Sequence, residues 1–344
     1  MIATTRLWGR RLGQMLVMAV AAGVCAVSLI LMGDPESHPL AALVQYVPYL
    51  AYLLPTILAL VWSCWLGWAW RLVAAISVVL VLTLIMGLVW GHPDEGHGHL
   101  RVMTYNSKAR LAMDAPNGGA ALALEIYQHD PDVLVMQDAG ELMQWQRERP
   151  AMFNAIVGKR DVYSFGQYII ASRLPLKACA PGSIPIRKKP HTFVHCVLTV
   201  HGQEIDLVSV HFLTPREGLN ATRHGGLKGL AAWRGNMEDR LTQSYELAAQ
   251  LNAMKRKRIV MGDLNAPESS TVVQTLLRTG MRDAFSSAGR GYGYTHGHSL
   301  RPGLSFLRID HILVSDDIGV SQAFAGGSAA SEHRPVIADL QVTR

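Results

Sequence analysis

The sequence predicts an α/β (α+β) protein, a four-layer α/β/β/α sandwich of two mixed sheets preceded by transmembrane helices. Three observations lead there. Charged side chains nearly vanish between Leu12 and Pro93 and are spaced as in a soluble protein from Asp94 onward, so the chain is built for two solvents. Beyond Leu100 the pattern is a series of short apolar runs, each ending or beginning at polar residues. Helical periodicity falls between those runs, which places helices outside paired sheets.

Hydrophobic residues make up 49% of the 344 residues and charged ones only 17%, a balance that points to a membrane part. Between Leu12 and Pro93 the only charged residues are Asp34, Glu36 and Arg71. The uncharged run 12–32 is long enough to cross a hydrocarbon core of roughly 30 Å as a helix. Runs near 43–68 and 72–90 supply a second and third span, and the second contains Pro48 and Pro55, which membrane helices tolerate. Trp62, Trp65, Trp68 and Trp70 crowd around Arg71, as expected at the headgroup level. Residues 1–93 therefore read as a membrane anchor, 94–99 as a polar linker and 100–344 as a folded domain. Arg6, Arg10 and Arg11 precede the first span and Arg71 lies between the second and third, so the positive-inside rule puts both flanks in the cytoplasm and the domain outside. This is the periplasm for a protein of a bacterial inner membrane. A cleaved signal peptide is the rival reading of the first span, but Leu-Met-Gly-Asp-Pro offers no small-x-small cleavage site.

Setting aside the four arginines and two acidic residues before Asp94 leaves 28 basic against 24 acidic side chains, too mild an excess to announce nucleic acid. Cys25 and Cys64 lie in the spans and read as small apolar packing residues. Cys179 and Cys196 flank the turn-rich segment 181–190, and an oxidising outer compartment would allow a disulfide between them. His92, His97 and His99 read as solvated linker residues.

The strands predicted after Leu100 follow in order. The run 100–105 ends at Asn106, 133–136 ends at Gln137 and Asp138, 168–171 ends at Ser172 and Arg173, and 205–210 ends at His211. Ile259, Val260 and Met261 then break at Gly262 and deliver Asp263 and Asn265 on one side of an extended backbone. An Asx-type turn explains that last stretch equally well. The run 312–314 begins after Asp310 and His311, and 336–340 begins after Glu332 and His333. In antiparallel neighbours the end of one strand lies beside the start of the next, so all these polar groups are expected on one rim. Helices are expected over 119–129, over 237–254 with Leu241, Tyr245, Ala248 and Leu251 buried, and after a cap at Ser269 or Ser270. No Gly-x-Gly-x-x-Gly follows the first strand, which argues against a dinucleotide site.

The rim residues are hard oxygen donors with two histidines, a set suited to Mg2+ or Mn2+ rather than zinc. Metal, oriented water and hydrogen-bond donors are the parts of phosphoester hydrolysis. Here the sequence resembles the endonuclease/exonuclease/phosphatase superfamily, whose fold is that of deoxyribonuclease I and exonuclease III. Its motifs appear in order as Arg101-Val-Met-Thr-Tyr-Asn106, Asp132-Val-Leu-Val-Met-Gln-Asp138, Ser172-Arg173-Leu174-Pro175, Val208-Ser-Val-His211, Gly262-Asp-Leu-Asn265, Ile309-Asp-His-Ile312 and Ser331-Glu-His-Arg-Pro335. The resemblance implies that Asp138 binds the metal, with Asn106 and Glu332 completing or bracing its shell. It implies that His333, oriented by Asp310, acts on the phosphate or as base, and that Asp263 positions or deprotonates the attacking water. Asn265 and His211 would then hydrogen-bond phosphoryl oxygens.

Two positions depart from the family pattern. The second-strand carboxylate, usually Glu, is Asp138, and the residue before the last histidine, usually Asp, is Glu332. A reciprocal exchange of reach between them, or a weakened metal site, follows.

The family contains nucleases, sphingomyelinases and phosphatases, so substrate choice is expected in loops over the rim. The long basic segment 214–236 carries Arg216, Arg223, His224, Lys228 and Arg234, with Trp233 placed to stack on a base or enter a lipid surface. Arg173 joins Arg223, Lys228 and Trp233 as a candidate substrate contact. The segment 292–301, with His296 and His298, is a second flexible candidate. A membrane-tethered nuclease acting on DNA is the first reading, a phosphodiesterase or phosphatase for phospholipid head groups the second, and a degenerate binding domain the third. No protein partner is indicated.

Overall fold

The computed structural model describes residues 2–187, 190–299 and 304–342, with side chains from Trp8 onward. The chain forms two compact units, Met1–Val89 and Trp90–Arg344.

In the first unit α1 (Ile2–Met32) leads to α2 (Pro39–Leu43), α3 (Leu50–Ser63) and α4 (Trp68–Leu80). The stretches Trp8–Met32 and Trp68–Ile85 are long and apolar enough to cross a membrane. The second expected span differs. Its helices Pro39–Tyr46 and Leu50–Ser63 meet at 79° rather than forming one rod over 43–68. Pro48 sits in the break, where it lacks an N–H for the helix and forces Val47 toward extended backbone. At 1.5 Å per residue α3 alone reaches only about 21 Å, so the unit offers two crossings, or three if the bent pair serves as one. Small residues help the helices approach, with Ala59 and Ala74 buried beside Val17 and Leu66. Trp65 and Trp68 stay exposed, while Arg71 donates to the Cys64 carbonyl at 2.7 Å.

The second unit is the expected sandwich. One six-stranded sheet contains β1 (Leu100–Asn106), β2 (Val133–Gln137), β3 (Asp161–Phe165), β4 (Tyr168–Ser172), β11 (Gly319–Ala325) and β12 (Val336–Gln341), in the order β11-β12-β1-β2-β4-β3. The other contains β5 (Leu176–Ile184), β6 (His191–Val200), β7 (Gln203–His211), β8 (Lys257–Asp263), β9 (Met281–Asp283) and β10 (Asp310–Ser315), in the order β9-β10-β8-β7-β6-β5. Each sheet has one parallel pair at its centre, β1 with β2 and β7 with β8, and antiparallel pairs elsewhere. Both β2 and β4 are buried along their whole length, as strands covered on two faces must be.

Helices α6 (Gly118–His129), α7 (Leu142–Glu148) and α8 (Pro150–Val157) cover the first sheet, where Leu122, Trp145 and Phe153 pack on Met103, Leu134 and Ile337. Helices α9 (Arg216–Ala253) and α10 (Thr271–Leu277) cover the second, with Leu247, Leu251 and Val272 on Val208, Val260 and Leu313. Ser270 caps α10, its hydroxyl accepting from the Val272 N–H.

The expected strands and helices are present, but β3, β5, β6, β9 and β11 carry no clear apolar alternation and were not legible. The buried face of α9 also differs from the apolar stripe. Met237, Arg240, Ser244, Leu247 and Leu251 face inward, whereas Tyr245 is 55% exposed. Polar Arg240 and Ser244 hide that face from a hydropathy reading.

The segment 214–236, expected as a loop, is helical from Arg216, with a break at Gly226 (φ 53°). The two arms fold together because glycines sit where they touch: a Cβ on Gly229 would meet the Ala221 carbonyl at 1.9 Å, and one on Gly218 the Trp233 ring at 2.9 Å. The segment 94–99 lies against this unit, with Asp94 paired to Arg282 and accepting from the Val320 N–H. Cys179 and Cys196 are joined in a disulfide across β5 and β6.

Candidate active site

Gly262 explains how β8 reaches the rim. It is hydrogen-bonded beside Val210 of β7 with φ 153°, and a Cβ there would meet the Val210 carbonyl at 1.9 Å. Only glycine lets the two strands close at this point. Asp263 follows at once, buried, with His211 beside it on β7 and Asp310 opposite it on β10.

Asp263 both closes the turn and faces the rim. Its Oδ1 accepts from the Asn265 N–H at 2.8 Å, which is the Asx turn, while its Oδ2 accepts from Nδ2 of Asn106 at 2.9 Å. The second bond joins the ends of the two sheets. His333 and His211 approach the same Oδ2, with Nε2 at 3.8 Å and 3.5 Å. His333 Nδ1 lies 2.9 Å from Asp310 Oδ2, and Asp310 Oδ1 is buried without a hydrogen-bond partner among the described residues. Burial pulls the His333 imidazole down, but the charges of Asp310 and Asp263 outweigh it and hold His333 above its ordinary value. Burial likewise pushes the Asp310 carboxyl up, and the His333 charge and hydrogen bond hold it below the usual range. The pair is an imidazole held in orientation by a buried carboxylate.

Asp138 lies at the end of β2 in left-handed backbone (φ 46°). Its Oδ2 is 2.5 Å from Lys108 Nζ and its Oδ1 3.5 Å from His211 Nδ1. Burial raises this carboxyl, and His211 and Lys108 outweigh that and leave it lowered. Lys108 and Asn265 are also left-handed, at φ 45° and 52°. Strained backbone thus gathers at this rim.

Several residues here escaped the sequence reading. Lys108 carried no signal, being one lysine after a strand. Gln167 precedes β4 and accepts from His211 Nδ1 at 2.6 Å. Buried Arg240 donates to the Asn265 carbonyl at 2.7 Å and so supports the turn. Ser331 ties the last motif to the first by donating to the Asn106 carbonyl at 2.7 Å. The loop expected to be flexible is anchored instead, for His296 pairs by backbone with Leu307 and His333, and its ring packs tilted against that of His333, with centroids 4.6 Å apart. Burial, then the charge of His333, brings the His296 imidazole down to about 4. His298 bonds the Ser331 carbonyl at 2.9 Å; Arg301 lies outside the described residues.

Other expectations need correction. Arg173 is at the opposite rim, because β4 runs antiparallel to β2 and its last residue, Ser172, pairs with Val133 at the start of β2. There Arg173 binds Asp130. Trp233 is fully buried against Gly218, so it neither stacks on a base nor enters lipid. Arg223 and Lys228 are exposed near the Gly226 break and neither is bonded to a rim residue; Arg223 stands about 10 Å along the helix from Arg216. Glu332 points to Arg216, with Oε2 3.8 Å from its guanidinium, and makes no ion pair or hydrogen bond with Asp138.

A sandwich with this rim defines a phosphoester-cleaving class. The family model described as Endonuclease/Exonuclease/phosphatase family matches residues 103–333, and the chain belongs to that family. It is a hydrolase of that family acting on phosphoester bonds. The structure resembles truncated TDP2 of Caenorhabditis elegans (TM-score 0.53, 17% identity, 71% of this chain and 97% of that one). It also resembles the mannosyl-6-phosphatase of Bacteroides thetaiotaomicron (TM-score 0.54, 16% identity, 71% and 100%). A family protein of Bacteroides vulgatus aligns similarly (TM-score 0.55, 15% identity, 71% and 99%). At such identities these likenesses establish the fold. Comparison with the sequences of curated proteins gives no match.

The family generally depends on a divalent metal, and the residues present fit one. Asp138, Asp263, Asp310 and Asn106 supply hard oxygens, and the partnerless Asp310 Oδ1 marks spare acceptor capacity. The tightest group, Asp263, Asp310 and His333, has ligand atoms all within 4.8 Å of one another.

Proposed function

We propose that the protein is a metal-dependent phosphodiesterase of the nuclease type, tethered to a bacterial inner membrane by its N-terminal helices with the catalytic unit outside. One observation carries the reading: buried Asp263 is held by Asn106 and the Asn265 N–H, and it faces both His333 and His211.

The Asp310–His333 hydrogen bond makes that pair a relay rather than a metal cage. Asp138 and Asn106 are then the metal side, and Mg2+ or Mn2+ bound there would neutralise charge on the phosphoryl oxygens. Asp263 accepts a proton from the attacking water. The His333 imidazolium, oriented by Asp310, stabilises the developing charge, and His211 and Asn265 donate to phosphoryl oxygens. Water adds to phosphorus, the bond to the leaving oxygen breaks, and that oxygen takes a proton from solvent, to which Asp263 returns the one it accepted.

Residues 1–93 form the anchor in this reading, 94–99 the connection and 100–344 the catalytic domain. The arginines flanking the helices and the Cys179–Cys196 disulfide support an outward-facing domain, since such bonds persist in oxidising compartments. Intact-mass analysis of membrane-extracted protein, with and without reductant, checks the bond.

Turnover by the detergent-solubilised protein with Mg2+ or Mn2+ against plasmid DNA, sphingomyelin and a generic phosphodiester is the test, with His333→Ala as control. Metal-dependent cleavage of DNA supports the reading. A site tethered beside a bilayer favours phospholipid head groups as the second reading, which preferential cleavage of sphingomyelin would select. A lack of turnover on all three would leave a binding domain.

A further inference from the structure

The N-terminal unit carries a cavity of about 970 Å³ between α1 and α3, a volume in the range of ligand sites. One end of it is polar and the rest is not. Gly9 and Arg10 in the first third of α1 and Trp65 just past α3 form the mouth. Leu16, about 9 Å further along α1, and Leu58, one turn before Trp62 on α3, line the inner part. Trp62 lies against Gly13, where a Cβ would meet ring atoms Cδ1 and Nε1 at 2.4 Å. Glycine at position 13 is therefore what lets α3 bring this indole onto α1. Around Gly9 the mouth is open, since a Cβ there would meet nothing within 4 Å.

Arg10 is exposed, and its guanidinium makes no ion pair or side-chain hydrogen bond among the described residues. Its own unit holds no carboxylate in reach. The two acidic residues there, Asp34 and Glu36, follow the far end of α1, about 33 Å along the helix from Arg10. Glu36 is also buried and accepts from Gln45 Nε2 at 3.1 Å. Trp62 and Trp65 are 45% and 75% exposed, and their indole N–H groups have no acceptor among the described residues. The mouth thus offers hydrogen-bond donors and one positive charge, and the interior offers only hydrocarbon.

We propose that this cavity binds one phospholipid with an anionic head group, its phosphate on Arg10 and the Trp65 N–H and one acyl chain along Leu16 and Leu58. The inference rests on the reading of residues 1–93 as a membrane anchor and is independent of the chemistry at the rim. A cation without a carboxylate, at the open end of an apolar groove, matches a ligand that is anionic at one end and hydrocarbon at the other. A zwitterionic lipid brings its own ammonium and leaves less charge for Arg10. A second copy of the chain fits less well. Gly9 and Gly13 have the spacing of a helix-pairing motif, but Gly13 is already covered by Trp62 of the same chain, and a symmetric pair through this face would bring two Arg10 side chains together.

The experiment is native mass spectrometry of the full chain released from detergent, titrated with phosphatidylglycerol or with phosphatidylethanolamine of the same acyl chains. The wild-type chain should retain one phosphatidylglycerol under conditions that strip phosphatidylethanolamine. Arg10→Gln should weaken phosphatidylglycerol binding at least about fivefold, as expected for one basic residue at an anionic surface. Arg11→Gln removes the same charge from a position outside the cavity and should change binding less than about twofold. Gly9→Leu keeps every charge but fills the mouth, and should weaken binding as much as Arg10→Gln. Equal retention of the two lipids by the wild-type chain, or a loss in Arg10→Gln no larger than in Arg11→Gln, overturns the site.

Failure of the anchor reading looks different. A chain that leaves the membrane fraction in alkaline carbonate overturns the anchor and the lipid site together, whereas one that stays but shows no lipid preference overturns the site alone. A lipid-free dimer that Gly9→Leu converts to monomer would put a second copy in the groove and overturn the lipid.

Discussion

The ammonium of Lys108 lies 2.5 Å from Oδ2 of Asp138, so the carboxylate that the family pattern assigns to metal already carries a cation from the chain itself. Lys108 holds this place from a left-handed backbone position next to the Asn106 motif. A metal must share Asp138 with it. Lys108→Met is therefore expected to tighten Mn2+ binding by about fivefold, the equivalent of roughly 1 kcal/mol for a partly exposed pair. Calorimetric titration of the purified protein checks this, and weaker binding in the variant would show that Lys108 helps rather than competes.

The Asp138 and Glu332 departures change reach by one methylene in opposite directions. If they compensate, Asp138→Glu and Glu332→Asp each lower metal-dependent turnover and the double variant recovers it. The present position of Glu332, facing Arg216 at 3.8 Å, makes the recovery demanding. Additive losses in the cycle would mean that the two residues act independently.

His333 is held above its ordinary value chiefly by Asp310 and Asp263 working against burial. A step that needs its imidazolium runs at low pH and fails as pH rises through that raised value. In Asp310→Asn the largest of the two charges is gone, so the alkaline limb of kcat/KM should move toward lower pH. Asp310 is a positioning residue in this account. A fall in kcat with an unmoved alkaline limb would count against it.

A second buried network beside the site governs stability rather than chemistry. Arg308 Nη1 bonds both oxygens of Asp283 at 2.9 Å, and His311 bridges Asp283 and the Ala266 carbonyl at 2.7 and 2.9 Å. Burial pushes Asp283 up, but Arg308 and His311 hold it far below the usual carboxylate range. Its stabilising contribution is present above the unfolded value near 3.9, and is lost as pH falls through the lowered folded value. Arg308→Met should cost about 3–5 kcal/mol at neutral pH by removing the guanidinium that bonds both oxygens of that buried carboxylate and leaving only His311 against it. Urea unfolding would measure it. The deficit should narrow at acid pH, where Asp283 in the variant takes up a proton.

The sequence by itself determined the two-part organisation with apolar N-terminal helices, the sandwich, and most of the residues that meet at the candidate rim. It could do so because each rim residue stands next to an apolar strand, and strand ends are visible in one dimension. Asn106, Asp138, His211, Asp263, Asn265, Asp310 and His333 were all legible this way. Only the tertiary structure decided what depends on direction and contact. Arg173 left the rim because β4 runs antiparallel to β2, and Trp233 left the surface because Gly218 and Gly229 let two helical arms close over it. Lys108, Gln167 and His296 joined the site through spatial neighbours that no spacing encodes. The reason is physical: periodicity records which residues avoid water, whereas partners across sheets are chosen by register, strand direction and close backbone approach.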